Sequence, residues 1–169
     1  MLPPGRIAVV CLLLAPSLAW ATTLLALDVD GLAATSDAVV RATVTRVTPR
    51  WTRDGARIVT DVELAVSESW KGGAPRTIVV MQPGGVVGDL GQRVEGSASF
   101  TPGEEVVLFL EARGERYTVS GMAQGRFRVE RSSDGTLAYA RQDQCQQLRL
   151  VDPLTRQEVA PAPLALKLE

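Results

Sequence analysis

The sequence predicts a mainly β fold, a small closed or partly open barrel with one short helix, in a single domain. Three observations carry this. From Ala38 onward apolar and polar residues alternate at period two, the apolar positions are rich in Val, Ile and Thr, and Gly, Pro and Asp cluster between the runs. Only one short helix signal precedes them, at Asp30, which would cap a helix over Gly31 to Thr35.

The elements follow in order. The first strand, Ala38 to Thr48, places Ala38, Val40, Ala42 and Val44 on one face and Val39, Arg41, Thr43 and Thr45 on the other. Arg46-Val47 breaks the phase, and a β-bulge there would return Val47 to the core. The second strand aligns Ile58, Thr60, Val62, Leu64 and Val66 on one face, and Asp54-Gly55 lies at the tip of the long hairpin. Lys71-Gly72-Gly73-Ala74-Pro75 ends it and feeds a third strand, Thr77 to Gln82, apolar on both faces at Ile78 to Met81. A glycine-rich stretch, Pro83 to Gly103, reads as a mobile loop beside the barrel. Glu104 to Glu111 is a fourth strand, again apolar on both sides. Tyr117 to Ser120, Phe127 to Glu130 and Leu137 to Arg141 are shorter ones, the last two joined by a Ser133-Asp134-Gly135 turn. About five to seven strands in about 120 residues suit a small barrel or sandwich.

The domain organisation reads as a signal peptide over 1–21, an N-terminal segment with the short helix over 22–35, the β-barrel domain over 36–141 and a C-terminal tail over 142–169. Arg6, the apolar run Ile7 to Leu14 and the Ala19-Trp20-Ala21 cleavage site make the leader secretory, and Pro16-Ser17 interrupts it too early for a membrane span. The expected location is secreted, extracellular or periplasmic, with no stable membrane anchor after cleavage. The tail, with Pro153, Pro161 and Pro163 among alanines, reads as loosely attached from Asp152 onward.

Composition then excludes chemistry. The 169 residues contain no histidine, which removes Ser-His-Asp and Cys-His catalysis and histidine-ligated metals. They contain no asparagine, which removes N-glycosylation. A net charge of −1 gives no footprint for nucleic acid. Cys11 leaves with the leader, so Cys145 has no partner within the mature chain, and its Gln142 to Gln147 surroundings offer nothing to activate a thiol. Gly84 to Gly91 lacks the Gly-Lys-Ser/Thr ending and following helix of a phosphate loop. Asp28, Asp30 and Asp37 lack the entering helix of a calcium loop. Asp61 and Glu63 face solvent, Glu104 and Glu105 lie at a turn, and no pair of carboxylates stands out. The reading is no catalytic residue, no metal and no cofactor.

Arg41, Arg46, Arg50, Arg53 and Arg57 concentrate on the first hairpin, where cross-strand ion pairs with Asp61 and Glu63 account for most of them. Trp51 lies at the hairpin tip between Arg50 and Arg53, a pairing of residue types enriched where proteins bind proteins. Trp70 closes the second strand and is expected in the core. Candidate binding residues are Arg50, Trp51 and Arg53 with Gly84, Gly85 and Gly88 of the glycine-rich loop. The expected partner is another protein, not nucleic acid.

Three segments carry a resemblance. Ser36 to Val44, then Thr60 to Val66 closing on Trp70-Lys71-Gly72, then Gly103 to Phe109 are similar to the netrin-like domain family, which includes the tissue inhibitors of metalloproteinases. The resemblance covers Ser36 to Val129 and implies a five-stranded OB-like barrel with a secreted binding role. Inhibitors of that family begin the mature chain with a cysteine that chelates the protease zinc. This chain would begin Thr22-Thr23-Leu24, so that mechanism transfers to no residue here. The sequence therefore predicts a secreted, non-catalytic binding module. A protease inhibitor or protease-associated domain is the first alternative, and a carboxylate-based hydrolase the second.

Overall fold

A computed structural model describes residues 23–134, 137–146 and 148–168. The signal-peptide assignment and the Gly135 end of the turn lie outside the described residues. The elements run β1 (Thr23–Leu25), α1 (Val29–Thr35), β2 (Ala38–Trp51), β3 (Ile58–Lys71), β4 (Thr77–Pro83), β5 (Gly85–Val87), β6 (Leu90–Gln92), β7 (Glu105–Arg113), β8 (Arg116–Val119), a 3-10 turn (Met122–Gly125), β9 (Arg126–Arg131), β10 (Ala138–Arg141), β11 (Arg149–Val151), β12 (Glu158–Val159) and β13 (Ala165–Leu168).

The fold is mainly β with one α-helix, and its centre is a ring of strands. β7 pairs with β2, β2 with β3, β3 with β4, and β4 with β8 through a parallel contact at Val80 and Tyr117. β8 then returns antiparallel to β7 and closes the circuit. An arm of β9, β10 and β13 extends from the other side of β7, while β11 lies between β1 and β12 in a small separate sheet.

Alternation explains the ring. Val40, Ala42, Val44, Val62, Leu64, Val80, Val106, Leu108 and Leu110 point inward and are at most 1% exposed. β7 is apolar on both faces because it divides two cores: Val107 and Phe109 point outward, where Leu32 of α1, Phe127 and Val129 cover them. The Phe109 and Phe127 rings pack tilted with centroids 5.6 Å apart.

The phase break at Arg46 is the expected bulge. Thr45 has no partner between the Val44–Leu64 and Arg46–Glu63 pairs, and Val47 returns to the inner core. Two more bulges lie on β3, where Ser67 and Trp70 are the unpaired residues. The second corrects the expectation for Trp70: as the extra residue of a bulge it leaves the inward phase and is 50% exposed, its indole N–H donating to Glu68 at 3.1 Å.

The cap of α1 also differs from expectation. Asp28, in extended conformation, accepts the Gly31 N–H at 2.7 Å, and Asp30 sits in the first turn, where its charge complements the helix dipole. At the other end the Lys71 ammonium donates to the carbonyls of Ala33 at 2.7 Å and Ser36 at 2.6 Å, satisfying acceptors the helix leaves open. Gly72, at φ +79°, passes so close to the Asp37 carbonyl that a side chain would overlap it. Lys71-Gly72, one of the segments behind the family resemblance, thus docks the helix onto the end of β3.

From Asp152 onward the tail is not loosely attached: β12 pairs with β11 and β13 with β10. Cys145, Leu148 and Leu150 are buried in the inner core, β11 runs parallel to β1, and Leu164, Leu166 and Leu168 cover the outer core. Burial without a cationic neighbour pushes the Cys145 thiol up to about 11, with Asp143 adding to the effect. In the folded protein Cys145 is accordingly expected to react with iodoacetamide at pH 8 more than about 100-fold slower than in urea, measured by mass spectrometry.

Candidate interaction surface

The two regions singled out by the sequence meet at one end of the ring. β5 packs against the ends of β2 and β3. The Gly84 N–H donates to the Ile58 carbonyl at 2.9 Å, the Thr60 hydroxyl donates to the Gly84 carbonyl at 2.7 Å, and the Gln92 side chain accepts the Ile58 N–H at 2.8 Å. Gly85 has φ +138°, and a Cβ there would stand 2.6 Å from the Thr60 hydroxyl and 3.0 Å from Pro49 Cβ, so only glycine lets the hairpins approach this closely. Gly88 forms the β5–β6 turn at φ +61°. The stretch expected to be a mobile loop is therefore partly a short hairpin seated on the long one.

Both hairpins expose apolar side chains: Trp51 is 39% exposed on the long one, and Val86 at 63% and Leu90 at 60% lie on opposite faces of the short one. The arginines divide. Arg50 donates to Asp61 at 2.7 and 3.1 Å, and Arg116 approaches the same carboxylate at 3.5 Å. The hydrogen bond to Asp61 raises the Arg50 pKa. Arg41 bridges Glu105 at 2.6 Å and Glu68 at 2.8 Å, and Arg46 pairs with Glu63 at 3.7 Å. Burial opposes ionisation of Glu105, but its hydrogen bonds to Arg131 and Arg41 prevail and lower its pKa. Arg53 and Arg57 make no ion pair among the described residues; Asp54 between them accepts from the Thr52 hydroxyl at 2.5 Å and the Ala56 N–H at 3.2 Å, and these bonds, with a longer-range attraction from Arg57, lower its pKa. Arg50 thus belongs to a cross-strand ion pair, and at the tip two arginines, Arg53 and Arg57, face the single carboxylate Asp54.

Beside the hairpins opens a cleft of ≈ 950 Å³ whose floor is the end of the ring interior, with Val47, Thr60, Val62 and Gln82 among its lining residues. Segment 93–100 forms one wall, and Asp143, Gln144, Gln146, Leu148 and Arg149 line the other. Glutamine side chains clamp these segments by their backbones: Gln144 accepts the Ser99 N–H at 2.8 Å and donates to the Ser99 carbonyl at 3.1 Å. Gln124 does the same for Leu27 and Leu25 at 2.9 and 3.0 Å. Gln82 departs from that pattern. It is 5% exposed, its Oε1 accepts from Ser97 at 3.2 Å, and its Nε2 has no partner among the described residues.

Sequence reasoning missed the cleft and Gln82. The available signal was phase: Gln82 continues the inward series Ile78, Val80, and a polar residue at an inward position needs a reason. The buried carboxylate Glu104 and the half-buried Asp143 both bind Arg126, at 2.7 and 2.5 Å. Among the described residues no three His, Cys, Asp or Glu side chains gather where they could hold a metal, and no helix is long and apolar enough to cross a membrane. The chain matches no family model, no curated protein and no solved structure.

Proposed function

We propose that the chain is a secreted, non-catalytic protein-binding module built on an OB-like barrel of the netrin-like type, and that it binds through the joined β2–β3 and β5–β6 hairpins. The observation that carries the binding reading is the packing of β5 on the ends of β2 and β3, where the long hairpin presents exposed Trp51 next to Arg53 in the chain and the seated hairpin exposes Val86. Exposed Trp with flanking Arg is the composition of binding hot spots. The barrel reading rests on the closed circuit β7-β2-β3-β4-β8, whose five strands match the number in an OB fold. The segments of family resemblance fall on β2, β3 and β7 of that circuit. The partner is another protein, and the apolar leader sends the chain across the membrane to meet it.

Trp51→Ala tests the site. Because Trp51 is exposed at a strand end, the variant is expected to keep its melting temperature within about 3 °C while losing about tenfold or more in affinity for proteins captured by the wild-type chain from the native secreted fraction. A loss of melting temperature with unchanged capture would instead assign Trp51 to structure.

A further inference from the structure

The backbone of the same hairpin gives this partner a chemical form, an inference that rests on the protein-binding reading above. β7 stops pairing with β2 at Thr43, and Val44 is the last β2 residue satisfied on that side: its N–H donates to the Glu104 carbonyl at 2.9 Å and its carbonyl accepts the Gly103 N–H at 2.8 Å. Beyond the Thr45 bulge the polar groups of β2 divide by parity. Ile58 turns its N–H to Gln92 and its carbonyl to Gly84, both away from β2. In an antiparallel ladder its partner Trp51 must therefore turn its own groups away from β3, and the same parity carries Pro49 and Val47 outward. Proline fits at position 49 because no N–H is needed there.

The N–H and carbonyl of Val47, the carbonyl of Pro49 and the N–H of Trp51 thus form a strand edge with no backbone partner among the described residues. The Trp51 carbonyl accepts from the Arg50 guanidinium at 3.2 Å. The edge runs about 14 Å, four strand rises. Val47 also lines the cleft that holds the unpartnered Gln82 amide. Unpaired edges invite pairing, and Pro49 blunts this one without closing it.

We propose that this edge takes an extended segment of a partner protein as an added strand, with alternate side chains of the segment seated in the cleft. Donors and acceptors repeating every second residue are the complement of a peptide backbone, which selects a polypeptide over a sugar or nucleotide. Arg53 and Arg57 lie beyond the Trp51 end of the edge, form no ion pair among the described residues and outnumber the one carboxylate between them, Asp54, so the segment carries Asp or Glu at that end.

The test uses the full chain and random dodecapeptides displayed on phage, with amide hydrogen exchange as the readout. In the free protein the amides of Val47 and Trp51 exchange about tenfold or more faster than those of Thr48 and Arg50, which bond to β3. Synthetic versions of the enriched peptides slow exchange at Val47 by about tenfold or more, and methylating peptide nitrogens abolishes binding at one parity and spares it at the other. Val47→Pro, which removes a donor that β3 does not use, weakens binding by about tenfold, and should that variant fail to fold, the methylation pattern decides alone. Slow exchange at Val47 in the free chain, protection that grows with protein concentration alone, failure to enrich any peptide, or peptides that bind without affecting Val47 would each overturn the proposal. In those cases Trp51-dependent capture of folded proteins is measured separately and stands or falls by itself.

Discussion

Replacing Arg126 by alanine is expected to destabilise the protein by about 3–5 kcal/mol, enough to shift its urea midpoint by more than 1 M. The side chain is 1% exposed, yet it carries a full charge that ties together three parts of the fold. Its Nη2 bonds Glu104 just before β7, its Nη1 bonds Asp143 on the segment leading to β11, and its guanidinium lies 5.5 Å from the centroid of the Phe100 ring. Truncation would leave the Glu104 carboxylate, whose side chain is 6% exposed, with the exposed Arg128 at 3.3 Å as its remaining cation and the Thr101 N–H at 2.9 Å as its remaining neutral donor. The comparison that isolates the cause is Arg126→Met against the double variant Arg126→Met with Glu104→Gln. Removing both charges while keeping volume is expected to recover at least about half of the loss, since an uncompensated buried charge costs more than an absent pair. Equal destabilisation in the single and double variants would mean that packing against Phe100 dominates.

Deleting residues 142–169 is expected to abolish cooperative unfolding altogether. The segment supplies Cys145, Leu148 and Leu150 to the inner core, and each buried leucine removed to alanine typically costs about 2–5 kcal/mol. Together with the Arg126–Asp143 pair and the Gln142 amide, which donates to the Gln124 carbonyl at 2.6 Å, the loss matches the roughly 5–15 kcal/mol that holds such a domain together. Deleting only from Ala160 onward removes β13 and its cover of the outer core, and is expected to lower the melting temperature while preserving a single transition. Circular dichroism melts of the two truncations check this. A sharp transition in the longer deletion would restore the view of the tail as an appendage.

These two regions mark the limits of what the sequence made legible. Strict alternation at Ala38, Val40, Ala42 and Val44, and the doubly apolar Val106 to Leu110, located the ring strands and their inward faces, because a strand buried on one or both sides must repeat at two. The Thr45 bulge was legible as a phase error in that repeat. The bulge at Trp70 was not, since Ser67, Ser69 and Trp70 give no apolar phase to interrupt. Leu148 and Leu150 were hidden for a similar reason: two alternating apolar residues amid glutamines are too short a run to distinguish from a turn, and their burial depends on contacts with residues far away in sequence. The candidate surface was legible in its parts, Trp51 and the glycines, through residue type. Its assembly came from a single close approach at Gly85, and the free edge of β2 depends on where β7 stops, which is a property of the partner strand rather than of β2 itself.

The glutamine clamps have a consequence for the medium in which the protein can work. The stripe of ion pairs over β2 and β3 weakens as mobile ions screen it. The bonds by which Gln124, Gln142 and Gln144 fasten the chain's two ends to the ring are between neutral amides, with neither charge to be screened nor a proton to be gained or lost. Rising salt would therefore loosen the stripe over β2 and β3 before it reached these amide bonds.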